Sequence, residues 1–158
     1  VRTRITRLYR FSASHRLHTA RLSEDENIRL YGKCNNPFGH GHNYVLEVTA
    51  EGPVDPESGL VLRVPELDNL VRDRVLRSFE DRNINLDVPQ FRQLVPTTEN
   101  IAKVISDLLH EHWGIYVSGV SRLVRVHVQE TDRNGFEIWV RPEAASVDIQ
   151  SEREKVAV

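Results

Sequence analysis

The sequence predicts an α+β fold in which an antiparallel sheet carries two helices on one face. Three observations predict it. Apolar and polar residues alternate near both ends of the chain, two central stretches switch to helical spacing, and the strand junctions carry turn residues suited to hairpins. The 158 residues suit one domain, on a prior of roughly 100 to 200 residues per domain. That domain is expected to span 1–141. The remainder, 142–158, is rich in Glu, Ser, Lys and Arg and reads as a C-terminal surface tail.

Ile5, Tyr9, Phe11, Ala13 and His15 share one parity, which sets a first strand between Arg4 and His15, with Arg7 breaking the alternation. Residues 16–39 hold a charged run, Ser23 to Glu26, and the turn formers Gly32, Asn35, Asn36, Pro37 and Gly39; they read as a long ordered connection. From His40 one parity runs through His42, Tyr44, Leu46, Val48 and Ala50, a second strand with an apolar face. Gly52-Pro53 and Asp55 to Gly59 are turn chemistry, so Leu60 to Val64 is expected as a third strand in a hairpin. Pro65 and Glu66 suit a first helical turn, and Leu67, Leu70, Val71, Val75 and Phe79 recur at helical spacing over about 65–79. Thr97 or Thr98 caps a second helix whose stripe is Ile101, Val104, Ile105, Leu108, Leu109 and Trp113, with Gly114 as its stop. Val124, Val126 and Val128 alternate against Arg125, His127 and Gln129, and Asn134-Gly135 provides a hairpin turn into Phe136 to Val140.

Composition narrows the function. Lys and Arg number 21 against 23 Asp and Glu, a formal charge of −2, which lacks the basic excess of a nucleic-acid binder. No apolar run approaches the roughly 18 residues of a membrane span, and the opening VRTRITRLYRF lacks the apolar stretch of a secretory signal. A soluble cytoplasmic protein is the expectation, without nucleic-acid or membrane partners. The single cysteine, Cys34, excludes an intramolecular disulfide.

The chemistry resides in histidine. His40-Gly41-His42 sets two imidazoles on one face of a strand, and His15 ends the other strand on its apolar parity. Three neutral imidazoles without a fourth protein ligand describe an open zinc site able to act as a Lewis acid; solvated histidines near a strand end are the alternative. Cys34 lies six residues before His40 in a polar Gly/Asn/Pro loop. A thiol near a divalent cation and Lys33 would favour its thiolate, whereas a lone cysteine is more commonly an inert buried residue.

Several separated motifs occur together: Phe11-Ser-Ala-Ser-His15-Arg-Leu, Gly32-Lys-Cys34-Asn-Asn-Pro, Gly39-His40-Gly-His42-Asn-Tyr, Asp87-Val-Pro, Thr97-Thr-Glu-Asn100 and Glu130-Thr-Asp. In this set and order the chain resembles the 6-pyruvoyl-tetrahydropterin synthase family from about Arg10 to Val140. The resemblance implies a tunnelling fold, a four-stranded antiparallel sheet with two helices on one face, assembled as a homohexamer, a dimer of trimers, with the pterin pocket between subunits. It implies a lyase that converts 7,8-dihydroneopterin triphosphate to 6-pyruvoyl-tetrahydropterin with elimination of triphosphate, in tetrahydrobiopterin biosynthesis. His15, His40 and His42 then bind zinc and Cys34 is the proton-abstracting thiolate. Glu130 matches the pterin-anchoring glutamate, although by itself it reads as an exposed strand-end residue. Thr97, Thr98 and Glu99 match a segment lining the pterin pocket, and are equally well explained as a helix cap and a dipole-favoured acid.

One departure stands out. Where the family carries an Asp-His pair that relays protons with the cysteine, this chain has Glu80 and Asp81, and the run from Phe79 to Pro96 contains no histidine. A second carboxylate near Cys34 disfavours the thiolate, whereas an imidazolium favours it. Asp81 in a dry pocket could itself serve as base with a raised pKa, or the pair is simply a solvated acidic turn. Two further readings stay open: a 6-carboxy-tetrahydropterin synthase on the same scaffold, and a catalytically impaired protein that keeps zinc and pterin binding.

Overall fold

A computed structural model describes residues 1–141; the expected tail over 142–158 lies outside the described residues. β1 (Thr3–His15) and β2 (His40–Gly52) pair antiparallel along their full lengths, and β2 pairs antiparallel with β4 (Arg122–Thr131), which pairs with β5 (Asn134–Trp139). The four long strands match the expected antiparallel sheet. A fifth, β3 (Arg82–Asn83), adds two residues in parallel to Ala13 and Ser14 on the outer edge of β1, giving the order β3-β1-β2-β4-β5.

Between the strands run α1 (Glu24–Tyr31), α2 (Val64–Val71) and α3 (Thr98–Tyr116). A π turn, Arg72–Leu76, carries α2 on into the short helix Arg77–Phe79. Phe11, Tyr44, Leu46, Val48, Val126 and Val128 on one face of the sheet bury against Leu67, Leu70, Phe79, Ile101, Ile105 and Leu109 from the helices. Arg7, the interruption in the first strand's pattern, keeps its place on that face by reaching Asp68 of α2, with Nη2 2.9 Å from Oδ2. The other face is polar: Glu51 accepts hydrogen bonds from Arg2, Arg4 and Arg122.

Four local expectations change. Residues 60–64 form no strand, because β1 and β4 occupy both edges of β2; the stretch folds back on Asp55, whose side chain accepts from Ser58 and Glu57. The connection 16–39 contains α1, started by a capping box between Ser23 and Glu26 that the sequence spells out as Ser-x-x-Glu. Gly114 does not stop α3, which continues to Tyr116. The last hairpin turns at Asp132 and Arg133, with Asn134 and Gly135 already in β5. Gly135 lets the His127 ring pack close: a Cβ there would stand 2.6 Å from Nε2 and the ring would have to shift. Among the described residues no helix is long and apolar enough to cross a membrane.

Candidate metal centre and active site

Strand register places the histidines. His15 lies opposite His40 and Ala13 opposite His42, and alternate residues share a face, so all three imidazoles project to the helix side of the sheet. One ligand nitrogen from each lies within 4.8 Å of the others, and the rings stand edge to face with centroids 4.7 to 5.1 Å apart.

Their hydrogen bonding fits a metal. Nδ1 of the fully buried His15 lies 2.9 Å from the Pro96 carbonyl oxygen, which only accepts, so the hydrogen is on Nδ1 and Nε2 turns its lone pair to the cluster. That Nε2 is 3.2 Å from His40 Nε2. His42 Nε2 is buried with no hydrogen-bond partner among the described residues. Tetrahedral bonds of about 2.0–2.1 Å would separate ligand nitrogens by roughly 3.3–3.4 Å. Burial lowers the pKa of His15 and His42 against the opposing pull of the Glu130 charge, which keeps both rings in the neutral, ligating form. A cation would satisfy the orphaned nitrogen, and the Pro96 carbonyl supplies the outer-shell support that orients a ligating histidine.

Glu130 sits at a bulge. The register of β4 on β5 shifts between Gln129 and Thr131, an irregularity at the end of the strand. Glu130 shares the parity of Val126 and Val128 and so projects to the same helix-side face, with Oε1 3.6 Å from His15 Nε2 and 3.7 Å from His42 Nε2. The carboxylate faces the imidazoles.

Cys34 lies in the 3-10 turn Gly32–Asn35 that follows α1, half-buried, with its carbonyl accepting from Leu17 N at 2.8 Å. Burial pushes the thiol up, and the Glu130 charge adds to the rise. Glu130 and Cys34 also both act on the buried Tyr44, so the thiol, the carboxylate and the histidines form one neighbourhood within a single chain. Lys33, expected to favour the thiolate, contributes nothing to the shift.

Glu80 and Asp81 stand elsewhere. Ser12 N donates to the Glu80 carboxylate at 3.1 Å and Asp81 N donates to Ser12 O at 2.7 Å, which ties both residues to the outer edge of β1. Neither contributes to the Cys34 shift. Asp81 adopts a left-handed backbone, φ 56°, and lines a cavity of about 390 Å³ with Ser12, Asn43 and His42. Thr97 caps α3, its Oγ1 accepting from Asn100 N; Thr98 is buried, and Glu99 is exposed in the first turn.

Two supports were invisible to sequence reasoning. The Pro96 carbonyl that fixes the His15 tautomer is a backbone group, and no spacing rule marks it. Asn35, inside the Cys-Asn-Asn-Pro loop, donates from Nδ2 to Leu17 O and accepts Arg16 Nε on its carbonyl, bracing the loop that carries Cys34. Gly39 has a left-handed φ of 69°, and a Cβ there would stand 2.8 Å from the His15 carbonyl oxygen. Gly39→Ala is expected to destabilise the fold by about 1–3 kcal/mol and to weaken metal retention, as read from denaturant unfolding and metal content; unchanged values for both would show that the close approach is not a constraint.

The chain is similar to known proteins in sequence and fold. The family model described as 6-pyruvoyl tetrahydropterin synthase matches residues 4–141. A human protein named 6-pyruvoyl tetrahydrobiopterin synthase is 43% identical over 130 residues, which cover 82% of this chain and 86% of the human one. The Drosophila melanogaster protein of the same name is 38% identical over 130 residues, covering 82% of this chain and 75% of its own. The structure of Caenorhabditis elegans 6-pyruvoyl tetrahydropterin synthase superposes with a TM-score of 0.81 at 38% identity, covering 89% of this chain and 97% of its own. With the expected four-strand core present and the family model matched across the described domain, the chain belongs to the 6-pyruvoyl tetrahydropterin synthase family.

Proposed function

We propose that this chain is a zinc-dependent lyase that converts 7,8-dihydroneopterin triphosphate to 6-pyruvoyl-tetrahydropterin with loss of triphosphate. The observation that carries the reading is the convergence of His15, His40 and His42, with Glu130 facing them and Cys34 in the same neighbourhood. Zinc held by the three imidazoles would act as a Lewis acid toward the side-chain hydroxyls of the substrate. Cys34 takes a proton from the substrate side chain as thiolate. Burial and Glu130 oppose that ionisation, so it depends on positive charge in the loaded site.

The resemblance gives Glu130 to the pyrimidine edge of the pterin. Its position beside His15 and His42 better suits a carboxylate that accepts hydrogen bonds and a proton from the substrate hydroxyls. The pyrimidine edge then falls to Glu99, exposed in the first turn of α3 directly after Thr97 and Thr98, because a free carboxylate pairs with two parallel N–H donors. The outer edge of β1 pairs only at Ala13 and Ser14, and that of β5 has no partner among the described residues. Open edges of this kind suit a homohexamer built through its sheets. A reactive free thiol fits a reducing cytoplasmic compartment.

Incubation of pure protein with the triphosphate and identification of the product by mass spectrometry tests the assignment. The 6-pyruvoyl product is expected. Acetaldehyde with a 6-carboxy product would make the chain a 6-carboxy-tetrahydropterin synthase instead.

A second reading, an impaired zinc and pterin binder, is favoured by one observation: Glu80 is engaged at Ser12 N, and no histidine stands in the relay position. Asp81→His restores an imidazole at a residue whose left-handed backbone histidine tolerates. It is expected to raise kcat by roughly tenfold, a modest share of the 10²–10⁴ typical of a positioned acid or base. A loss would give Asp81 a role of its own, and the absence of triphosphate release from the unmodified protein would establish the binder.

A further inference from the structure

A cavity of about 530 Å³ lies between the segment following β1, the turn ahead of β2 and the stretch leading to α3. Its volume falls in the range of about 300–1,000 Å³ common for small-molecule sites. Arg16, Arg21, Arg92 and His18 line it, and no acidic residue does. None of these arginines has an ion-pair partner among the described residues, whereas the arginines across the open face of the sheet are paired with Glu47, Glu51 and Glu137. Three unneutralised guanidinium groups around one concavity, in a chain of net charge −2, form a local anion trap.

Two of its donors are held in place. Arg16 Nε donates to the Asn35 carbonyl at 3.1 Å, which steadies the guanidinium. Asn35 Nδ2 donates to Leu17 O at 2.8 Å and faces His18 Nδ1 at 3.1 Å. An amide nitrogen cannot accept, so His18 Nδ1 does, and the ring hydrogen stands on Nε2 as a donor. The cavity also shares a wall with the metal cluster: Gly39 is bonded to His40, the Pro96 carbonyl accepts from His15 Nδ1, and both residues line it.

We propose that this cavity binds a polyphosphate chain, gripped by Arg16, Arg21 and Arg92 with His18 Nε2 as a further donor. Guanidinium groups suit the task because each presents paired donors to phosphate oxygens. Resting on the function proposed above, the chain is the triphosphate arm of the substrate, held beside the metal while the pterin is read elsewhere. A free polyphosphate offers the same chemistry, and the two sources separate experimentally.

Zinc-loaded protein is titrated calorimetrically with inorganic tripolyphosphate, alongside Arg21→Ala/Arg92→Ala, Arg21→Glu/Arg92→Glu and the control Arg29→Ala. Arg21, Arg92 and Arg29 are all exposed, so the fold should tolerate these changes. The double alanine variant is expected to weaken binding by at least about tenfold, the charge reversal by more, and the control not at all. Binding through the metal would survive in both variants, since their histidines are intact. Absence of binding by the unmodified protein, or equal affinity of the double alanine variant, overturns the site. A matching rise in KM for dihydroneopterin triphosphate, with unchanged affinity for dephosphorylated dihydroneopterin, assigns the cavity to the substrate arm. An unchanged KM overturns that assignment and leaves a site for separate polyphosphate. Should the protein not turn over the triphosphate at all, the proposed reaction falls while the calorimetry still decides the cavity.

Discussion

His42→Ala is expected to empty the metal centre, with bound zinc falling from about one per chain to near background, since an open catalytic site holds its ion through only three protein ligands. Loss of an outer-shell partner typically costs about 10–100-fold in metal affinity or activity; loss of a ligand should exceed that in both. The fold should survive. His42 Nε2 makes no hydrogen bond among the described residues, so removing the ring breaks none there. His15→Ala would confuse the outcome, because that ring is fully buried and its removal leaves a cavity and an unpaired Pro96 carbonyl. Elemental analysis after desalting, with denaturant unfolding in parallel, checks the prediction. A full complement of zinc in His42→Ala would place the metal elsewhere.

Cys34→Ala is expected to lower kcat by roughly 10²–10⁴, the usual contribution of a positioned base, while zinc content stays unchanged. The two substitutions therefore separate metal from proton transfer. A pH measurement examines the same residue without mutation. In metal-free protein, burial and the Glu130 carboxylate hold the thiol above the ordinary cysteine range. The thiolate then appears only at higher pH, and alkylation of Cys34 should rise late along the pH axis. Loading zinc adds positive charge, favours the anion and should move that profile downward. A profile that does not respond to zinc would separate Cys34 from the metal centre, and full turnover by Cys34→Ala would remove it from the mechanism.

Legibility of the fold followed pattern length. The long alternations from Ile5 to His15 and from His40 to Ala50 are strands, and the stripe from Ile101 to Trp113 lies in a helix that Thr97 caps. Short patterns misled. Leu60 to Val64 looks like a strand but finds both edges of β2 occupied, and strand formation requires a partner. Asn134-Gly135 looks like a turn, yet the chain reverses at Asp132 and Arg133, with Thr131 paired to Asn134. Glu130, by contrast, lies where its parity with Val126 and Val128 puts it, on the face of the histidines. The helix over Glu24–Tyr31 was readable from Ser23 and Glu26, whose spacing matches a capping box.

The sequence by itself determined which residues could act together: the period of two puts His40 and His42 on one face and His15 on the matching face of another strand, and the separated motifs identify the family. Tertiary structure alone decided how they meet. The choice of His15 nitrogen comes from a carbonyl 81 residues away in the chain, the approach of Glu130 to His15 and His42 from the pairing of β4 with β2, the tie of Glu80 and Asp81 to the edge of β1 from their bonds to Ser12, and the gathering of Arg16, Arg21 and Arg92 from the folding of three segments around one cavity. Local periodicity encodes the face on which a side chain lies, whereas hydrogen-bond partners and neighbouring charges depend on which distant segments the packed core brings together.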